Sequence, residues 1–94
     1  MSADLVGPVL EAGDIGRAVL AAIRELNPEV EVLDRGAYLR VLVPGRCLVT
    51  RSAVERALGR PFVLEQELEL AMPSFRGTFS LSPDDAVWVS RAQP

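Results

Sequence analysis

One long amphipathic segment, residues 14–26, sets the kind of architecture that this 94-residue chain can adopt. Its apolar residues recur at the spacing of one face of an α-helix: Ile15, Val19, Ala22, Ile23 and Leu26. Gly13-Asp14 is typical of a helix start, with Asp14 as the N-cap, and Asn27-Pro28 is typical of a helix end. The sequence therefore predicts one long helix that must bury this stripe against other elements.

Short segments with strand character surround this helix. Residues 5–12 predict a first strand, and its Gly7-Pro8 pair suits an edge position or the strand entrance because proline has no N–H to donate. Residues 30–34, 37–43 and 46–50 predict three more strands, joined by tight turns at Arg35-Gly36 and Pro44-Gly45. We expect these three strands to form an antiparallel meander.

The second half of the chain repeats this order. A shorter helix is predicted from residues 50–52, with either Thr50 or Ser52 as its N-cap, to Gly59. In residues 62–70 leucines alternate with glutamates, a period typical of a strand with one solvated acidic face. Residues 75–81 and 86–90 predict two final strands, joined by a turn at residues 82–85.

The predicted element order is β-α-β-β-β-α-β-β-β, an α+β domain in which two helices pack on largely antiparallel sheets. We expect a single domain over residues 6–90, a short flexible tail at residues 1–5 and a C-terminal tail at residues 91–94. A chain this short must bury its apolar side chains efficiently, and its apolar fraction of 49% suits that requirement.

The residue types that the sequence lacks exclude most catalytic sites. It has no His, its ten basic residues are all Arg, and Cys47 is its one cysteine. Ser/His/Asp and Cys/His nucleophile systems are therefore excluded, as are the usual ligand sets of iron–sulfur clusters. We expect Cys47 to be a small buried side chain rather than a redox group.

The net charge and the hydropathy of the sequence limit the classes of binding partner and the cellular location that we expect. A net charge of −3 with scattered arginines disfavours a nucleic-acid partner, because phosphate binding needs clustered cations. No apolar run is long enough for a membrane span, and the first residues lack the pattern of a signal peptide. We therefore expect a cytoplasmic protein without a membrane or nucleic-acid partner.

Four stretches carry a resemblance to a known family. They are VGPVLEAGD at residues 6–14, EVLDRGAYLRV at residues 31–41, LVTRSAVERALGRPF at residues 48–62, and ELEL followed by SFRG at residues 74–77. In this order and spacing, the chain resembles the effector (coupling, regulatory) proteins of bacterial multicomponent soluble diiron monooxygenases. The similarity is greatest to the toluene and aromatic or alkene monooxygenase branch. The chain departs from that pattern in a shorter N-terminal tail and an extra residue around Met72-Pro73.

This resemblance implies a regulatory protein that is not itself an enzyme and needs no cofactor or metal. Its partner would be the diiron hydroxylase component, with a reductase and, in some branches, a Rieske ferredoxin completing the system. Binding of the effector would tune the rate, coupling and regioselectivity of aromatic or alkene hydrocarbon oxidation. We expect the free protein to be a monomer.

Three short stretches are candidates for the contact with the hydroxylase. The first is Leu10, Glu11, Gly13 and Asp14, beside the free N–H groups of a helix start. The second is Asp34-Arg35 at a hairpin turn. The third is Ser74, Phe75, Arg76 and Gly77, which combines an aromatic and an arginine, both enriched at binding hot spots. The alternatives are a turn and helix cap for Gly13-Asp14, a solvated turn for Asp34-Arg35, and a core position for Phe75.

Two hypotheses from other classes stay open at this point. The first is a small-molecule-sensing α+β domain, which would be stabilised by a ligand without a protein partner. The second is an enzyme that uses Glu11 and Asp14 as acid and base, although exposed acids are common at helix starts.

Overall fold

The computed structural model describes residues 4–91; the rest of the two predicted tails, residues 1–3 and 92–94, lies outside this range. Over these residues the chain forms ten elements: β1 (Leu5–Glu11), α1 (Asp14–Leu26), β2 (Glu31–Asp34), β3 (Tyr38–Pro44), β4 (Arg46–Thr50), α2 (Arg51–Leu58), α3 (Leu64–Ala71), β5 (Ser74–Arg76), β6 (Thr78–Leu81) and β7 (Asp85–Val89). The predicted α+β class is confirmed.

The strands form two sheets in which every neighbouring pair is antiparallel. The first sheet has the order β2-β3-β1-β5, and the second has the order β4-β7-β6. Apolar side chains from both sheets and from all three helices meet in one buried cluster. Because each element has one apolar face or stripe, this shared core is what holds the two sheets and the helices together.

Helix α1 has the bounds that its periodicity predicts. Val19, Ala22 and Ile23 are fully buried on its inner face. The prediction of its N-cap was wrong: the N-cap is Gly13, Asp14 is the first helical residue, and no side chain caps the helix. The first turn of α1 therefore keeps N–H groups without an intrahelical acceptor.

Asn27, which ends α1, joins this helix to the second sheet. Its side-chain Nδ2 donates to the carbonyl oxygens of Ile23 and Leu48, each at 2.8 Å. Its Oδ1 accepts the N–H of Leu48 at 3.1 Å. One buried amide thus satisfies both backbone groups of a β4 residue, which fixes the end of α1 against β4.

Residues 62–70 do not form the predicted strand; most of them belong to helix α3. The alternation of Leu and Glu also fits a helix, because Leu64, Leu68 and Ala71 recur at helical spacing and are all buried. Leu and Glu are both strong helix formers, whereas strands favour β-branched and aromatic residues. The predicted acidic sheet face is therefore the outer side of a helix.

The N-terminus of α3 is held by Glu67. Its carboxylate accepts the backbone N–H of Val63, the residue before the helix, at 2.8 Å, and also pairs with Arg60 at 3.3 Å. The hydrogen bond from Val63 is the largest cause of a lowered pKa of Glu67; desolvation opposes it, and the hydrogen bond and charge of Arg60 add to the lowering. In α2, Thr50 is the N-cap, since its Oγ accepts the N–H of Ala53 at 3.2 Å.

The predicted meander of β2, β3 and β4 is wrong at its second turn. The turn at Pro44-Gly45 reverses the chain, but β4 pairs with β7 in the second sheet and not with β3. The N–H of Gly45 donates to the carbonyl of Asp4, and its own carbonyl accepts the N–H of Ser90. Turn residues specify a reversal, whereas these two distant partners decide which sheet the chain enters next.

Residues 75–81 form two strands rather than the predicted single strand, because Gly77 divides them. Gly77 has φ +104°, and a Cβ at this position would lie 2.8 Å from the carbonyl oxygen of Val89 and 2.9 Å from Val6 Cγ1. Only glycine fits such a close approach. The chain crosses from the first sheet to the second at this residue.

The Gly7-Pro8 pair lies inside the first sheet, not at its edge as predicted. Strand β1 is flanked by β3 and β5, and its ladder with β3 has bridge pairs at Val6 and Val9 but none between them. This gap accommodates the missing N–H of Pro8. A Cβ on Gly7, which has φ +143°, would lie 2.5 Å from the carbonyl oxygen of Val41.

Candidate functional site

The antiparallel pairing brings the candidate stretches together at one end of the first sheet. Strand β1 ends at Glu11, opposite Tyr38 at the start of β3, and β2 ends at Asp34. Strand β5 starts at Ser74, opposite Val9. Three stretches that are far apart in sequence thus share one end of a sheet.

We call the exposed residues of this region the sheet-end surface: Glu11, Gly13, Asp14, Asp34, Arg35 and Ser74. Leu10 was predicted with them but is fully buried and pairs with Leu39, so it supports the surface from the core side. Tyr38, which we did not predict as a contact, lies between Glu11 and Asp34 with 43% of its surface exposed.

Backbone hydrogen bonds fix the sheet-end surface. The N–H of Ala12 donates to the carbonyl of Ala37, which ties the start of α1 to the β2–β3 turn. Within the turn, the N–H of Arg35 donates to the carbonyl of Tyr38, and the Asp34 carboxylate accepts the N–H of Gly36, both at 2.8 Å. Asp34 therefore shapes the turn, and Arg35 is presented to solvent without an ion-pair partner among residues 4–91.

The β5 edge, which we define as Phe75 and Arg76, continues from the sheet-end surface along the outermost strand. Both residues are exposed, and they pair with Pro8 and Gly7 on their inner side. Arg76 lines an open groove together with Asp4 and Arg91. Gly77 was predicted with them, but it is half-buried and serves as the crossing point between the sheets.

Phe75 combines the two roles that the sequence left open. Its ring is 42% exposed, yet it packs on Phe79 with a centroid distance of 5.2 Å. Phe79 in turn stacks on the fully buried Trp88 at 5.1 Å. A row of three aromatic rings thus leads from the β5 edge into the core, with the exposed Phe75 at its outer end.

Helix α3 contributes a feature that we did not predict. Leu70 is 78% exposed, and it lines a groove with Glu11, Gly13 and Asp14 of the sheet-end surface. The assignment of residues 62–70 to a strand placed Leu70 on the same buried face as Leu64 and Leu68. Helical spacing would have identified it, because Leu70 falls outside the buried stripe that ends at Ala71.

The described residues contain neither a reactive thiol nor a group of side chains suited to a metal ion. Burial raises the pKa of the Cys47 thiol to about 12, so the thiol is protonated and unreactive at neutral pH. Among residues 4–91, no three Asp, Glu, Cys or His side chains are grouped so that they could hold a metal ion. In the same range, no helix has the length and apolar character to cross a membrane.

The candidate acids Glu11 and Asp14 are both exposed at the surface of the molecule. The groove beside them and the groove beside Arg76 are open to solvent and not enclosed. Small-molecule sites and acid–base pairs are usually recessed, where water is partly excluded. Neither groove is recessed in this way.

The sequence of nearly the whole chain is similar to those of known proteins. Residues 4–89 match the sequence model of the MmoB/DmpM family. The chain is 44% identical, over 90 residues, to the effector subunit of the alkene monooxygenase system of Xanthobacter autotrophicus (strain ATCC BAA-1158 / Py2). This alignment covers 94% of the chain and 88% of that relative.

Solved structures with the same fold include components of related systems. A chain in a structure of the phenol hydroxylase–regulatory protein complex has a TM-score of 0.81 and 27% identity, covering 90% of this chain and 97% of that one. A second structure of this complex gives 0.74 and 27%, with coverage of 86% and 95%. The regulatory protein B of soluble methane monooxygenase shares the fold with a TM-score of 0.70 at 23% identity, over 98% of this chain and 69% of that chain.

Proposed function

This chain belongs to the MmoB/DmpM family, and on that premise we propose that it is the effector subunit of a bacterial multicomponent diiron monooxygenase. The observation that carries the proposal is the 44% identity, over 94% of the chain, with the effector subunit of an alkene monooxygenase system. The fold it shares with a chain of the phenol hydroxylase–regulatory protein complex supports a hydroxylase as the binding partner.

The role of the chain is to bind the hydroxylase, not to react with its substrate. The diiron centre belongs to the hydroxylase, and a reductase, with a Rieske ferredoxin in some systems, supplies electrons to it. We infer that the oxidised substrate is an alkene or an aromatic hydrocarbon. A cytoplasmic monomer fits this role, and so does the free, buried thiol of Cys47.

The effector acts by preferring one conformation of the hydroxylase over another. A bound protein shifts a conformational equilibrium only by the difference between its affinities for the two states. A difference of about 1.4 kcal/mol changes the ratio of the two states about tenfold, which is enough to alter rate and coupling. Shape and hydrogen-bonding groups on a rigid surface are sufficient for such a preference.

The sheet-end surface and the β5 edge form the docking surface in this proposal. They unite an aromatic ring anchored on the core, the arginines Arg35 and Arg76, and the N–H groups of the first turn of α1. Aromatic and arginine side chains carry much of the binding free energy at protein interfaces. Hydrogen bonds hold the backbone of the β2–β3 turn and of the start of α1 in place, so this backbone loses little conformational entropy on docking.

The test is steady-state hydroxylation with the cognate hydroxylase and reductase, titrated with this chain. We expect the turnover rate and the product formed per electron pair consumed to rise with the effector and to reach a plateau. If the rate, the coupling and the product distribution all remain constant up to saturating concentrations, the proposed function is wrong.

A further inference from the structure

Leu70 has no structural role that accounts for its apolar side chain. It is the most exposed large apolar residue in the described part of the chain, at 78%, against 52% for Val63 and 42% for Phe75. The buried side of α3 is complete without it, since Leu64, Leu68 and Ala71 already fill the stripe that faces the core. Leu70 therefore exposes a large apolar side chain at the rim of a groove, and burial of that side chain against a partner would be favourable.

The groove beside Leu70 lies between the start of α1 and the end of α3. It is also lined by Ile15, which is half-buried, and by Ala71, which is buried. Glu11, Gly13 and Asp14 form its opposite wall and belong to the sheet-end surface. The groove is therefore continuous with the docking surface proposed above, although it includes a helix that lies outside the first sheet.

The charge around this groove is negative. Its lining contains three carboxylates, those of Glu11, Asp14 and Glu67, and one guanidinium, that of Arg60. Arg60 is paired with Glu67 at 3.3 Å, whereas Glu11 and Asp14 form no ion pair among residues 4–91. A partner that contacts Leu70 therefore meets two uncompensated carboxylates.

We propose that this groove, with Leu70 at its rim, binds a segment of the hydroxylase surface that carries an apolar side chain flanked by Arg or Lys. The inference rests on the proposed function, because it assigns part of the hydroxylase interface. The apolar contact supplies affinity, and the flanking cations complement Glu11 and Asp14, which favours fast association and correct orientation. A second copy of this chain does not fit, since its own acidic groove would be opposed by like charge.

Two charged variants at one position separate the apolar contact from the charge. Leu70→Arg and Leu70→Glu both remove the leucine from a solvent-exposed position, so neither is expected to change the core. Against a basic segment, arginine adds repulsion and glutamate adds attraction. We expect Leu70→Arg to weaken binding by about tenfold or more and Leu70→Glu to weaken it less.

Val63→Arg is the matched control. Val63 is 52% exposed at the other end of α3, and it lines a different groove with Arg51 and Asp84. This variant adds the same charge at the N-cap of the same helix, away from the proposed contact. We expect its affinity to remain within about twofold of the wild-type value, as is usual for residues outside an interface.

Isothermal titration of the complete hydroxylase with the full-length chain measures these affinities. Circular dichroism and thermal melting report whether each variant folds. If a charged variant has a lower melting temperature than the wild type, Leu70→Ala is used in the binding measurement instead. Wild-type affinity in every Leu70 variant overturns the inference but leaves the proposed function intact. Weaker binding of Leu70→Glu than of Leu70→Arg overturns it too, because the partner segment would then be acidic. Absence of wild-type binding overturns both.

Discussion

Some residues of this protein make structural contacts that residue type alone does not predict. Asn27 has the sequence signature of a helix stop, and it does end α1. The same side chain also makes three buried or partly buried hydrogen bonds, two of them to the backbone of Leu48. A sequence pattern identifies the first role, but the second depends on a strand that lies 21 residues further along the chain.

We expect Asn27→Ala to lower the free energy of unfolding by about 2–3 kcal/mol, because the N–H and carbonyl of Leu48 lose their partner in a partly buried position. Urea denaturation measures this change. Glu29→Ala, at an exposed position two residues away, serves as the control and should leave stability nearly unchanged. Equal stability of the two variants would show that Asn27 does not hold α1 to β4.

Gly77 and Pro44-Gly45 illustrate a second limit at the residue scale. The turn at Pro44-Gly45 was predicted and the break at Gly77 was not, and neither position identifies the strand that the chain pairs with afterwards. That choice depends on groups distant in sequence, such as the carbonyl of Val89 beside Gly77 and the backbone of Asp4 beside Gly45. For this reason the predicted meander and the single strand at residues 75–81 were wrong.

At the scale of elements, a helix was predicted correctly where its apolar residues followed a single period over many residues. Helix α1 has thirteen residues and a continuous apolar stripe, and the predicted bounds are those observed. Helix α3 has only eight residues, and its alternating Leu and Glu residues fit a period of two as well as a helix. Over so short a segment, strong helix propensity was better evidence than periodicity. Because of this error, Leu70 was placed on a buried face, although it is the most exposed large apolar residue of the candidate region.

The N-terminus of α3 gives the protein a pH-dependent contribution to stability. The pKa of Glu67 is lowered in the folded chain, chiefly by the hydrogen bond from the Val63 N–H. A lowered folded-state pKa means that the stabilisation is present above the unfolded-state value and is lost as the pH falls through the folded-state value. The ordinary pKa of this carboxyl is 4.5, so the loss occurs below that pH.

Glu67→Gln tests this contribution, since glutamine keeps an oxygen acceptor for Val63 but does not titrate. We expect wild type to be the more stable protein at pH 7 and the difference between the two to shrink as the pH is lowered below 4.5. Urea denaturation over a series of pH values measures it. A difference that stays constant, or grows, in acid would mean that the charge of Glu67 does not support α3.

For the whole molecule, the sequence predicted the class of fold and the family, whereas the docking contacts stay a prediction. The α+β class, the antiparallel sheets and the family resemblance were each confirmed. The candidate residues were chosen from separate stretches without a known register. Only the pairing of β3 with β2 and β1, and of β1 with β5, brings Glu11, Asp34 and Ser74 to one sheet end. The same pairing places Leu10 in the core.

In the proposed function, this sheet end docks on the hydroxylase. Hydrogen–deuterium exchange of the free chain and of its complex with the hydroxylase shows which amides the docking protects. In the free chain, the amides of Asp14 and Ile15 in the first turn of α1 have no intrahelical acceptor and neither residue is buried, so they should exchange rapidly. Residues 51–58 of α2 serve as the internal reference.

In the complex, we expect slower exchange at residues 11–16, 34–38 and 74–76, with little change in residues 51–58. Protection confined to α2 and the second sheet would place the docking surface elsewhere on the molecule. Identical exchange throughout the free and mixed samples, at concentrations that saturate turnover, would contradict docking altogether.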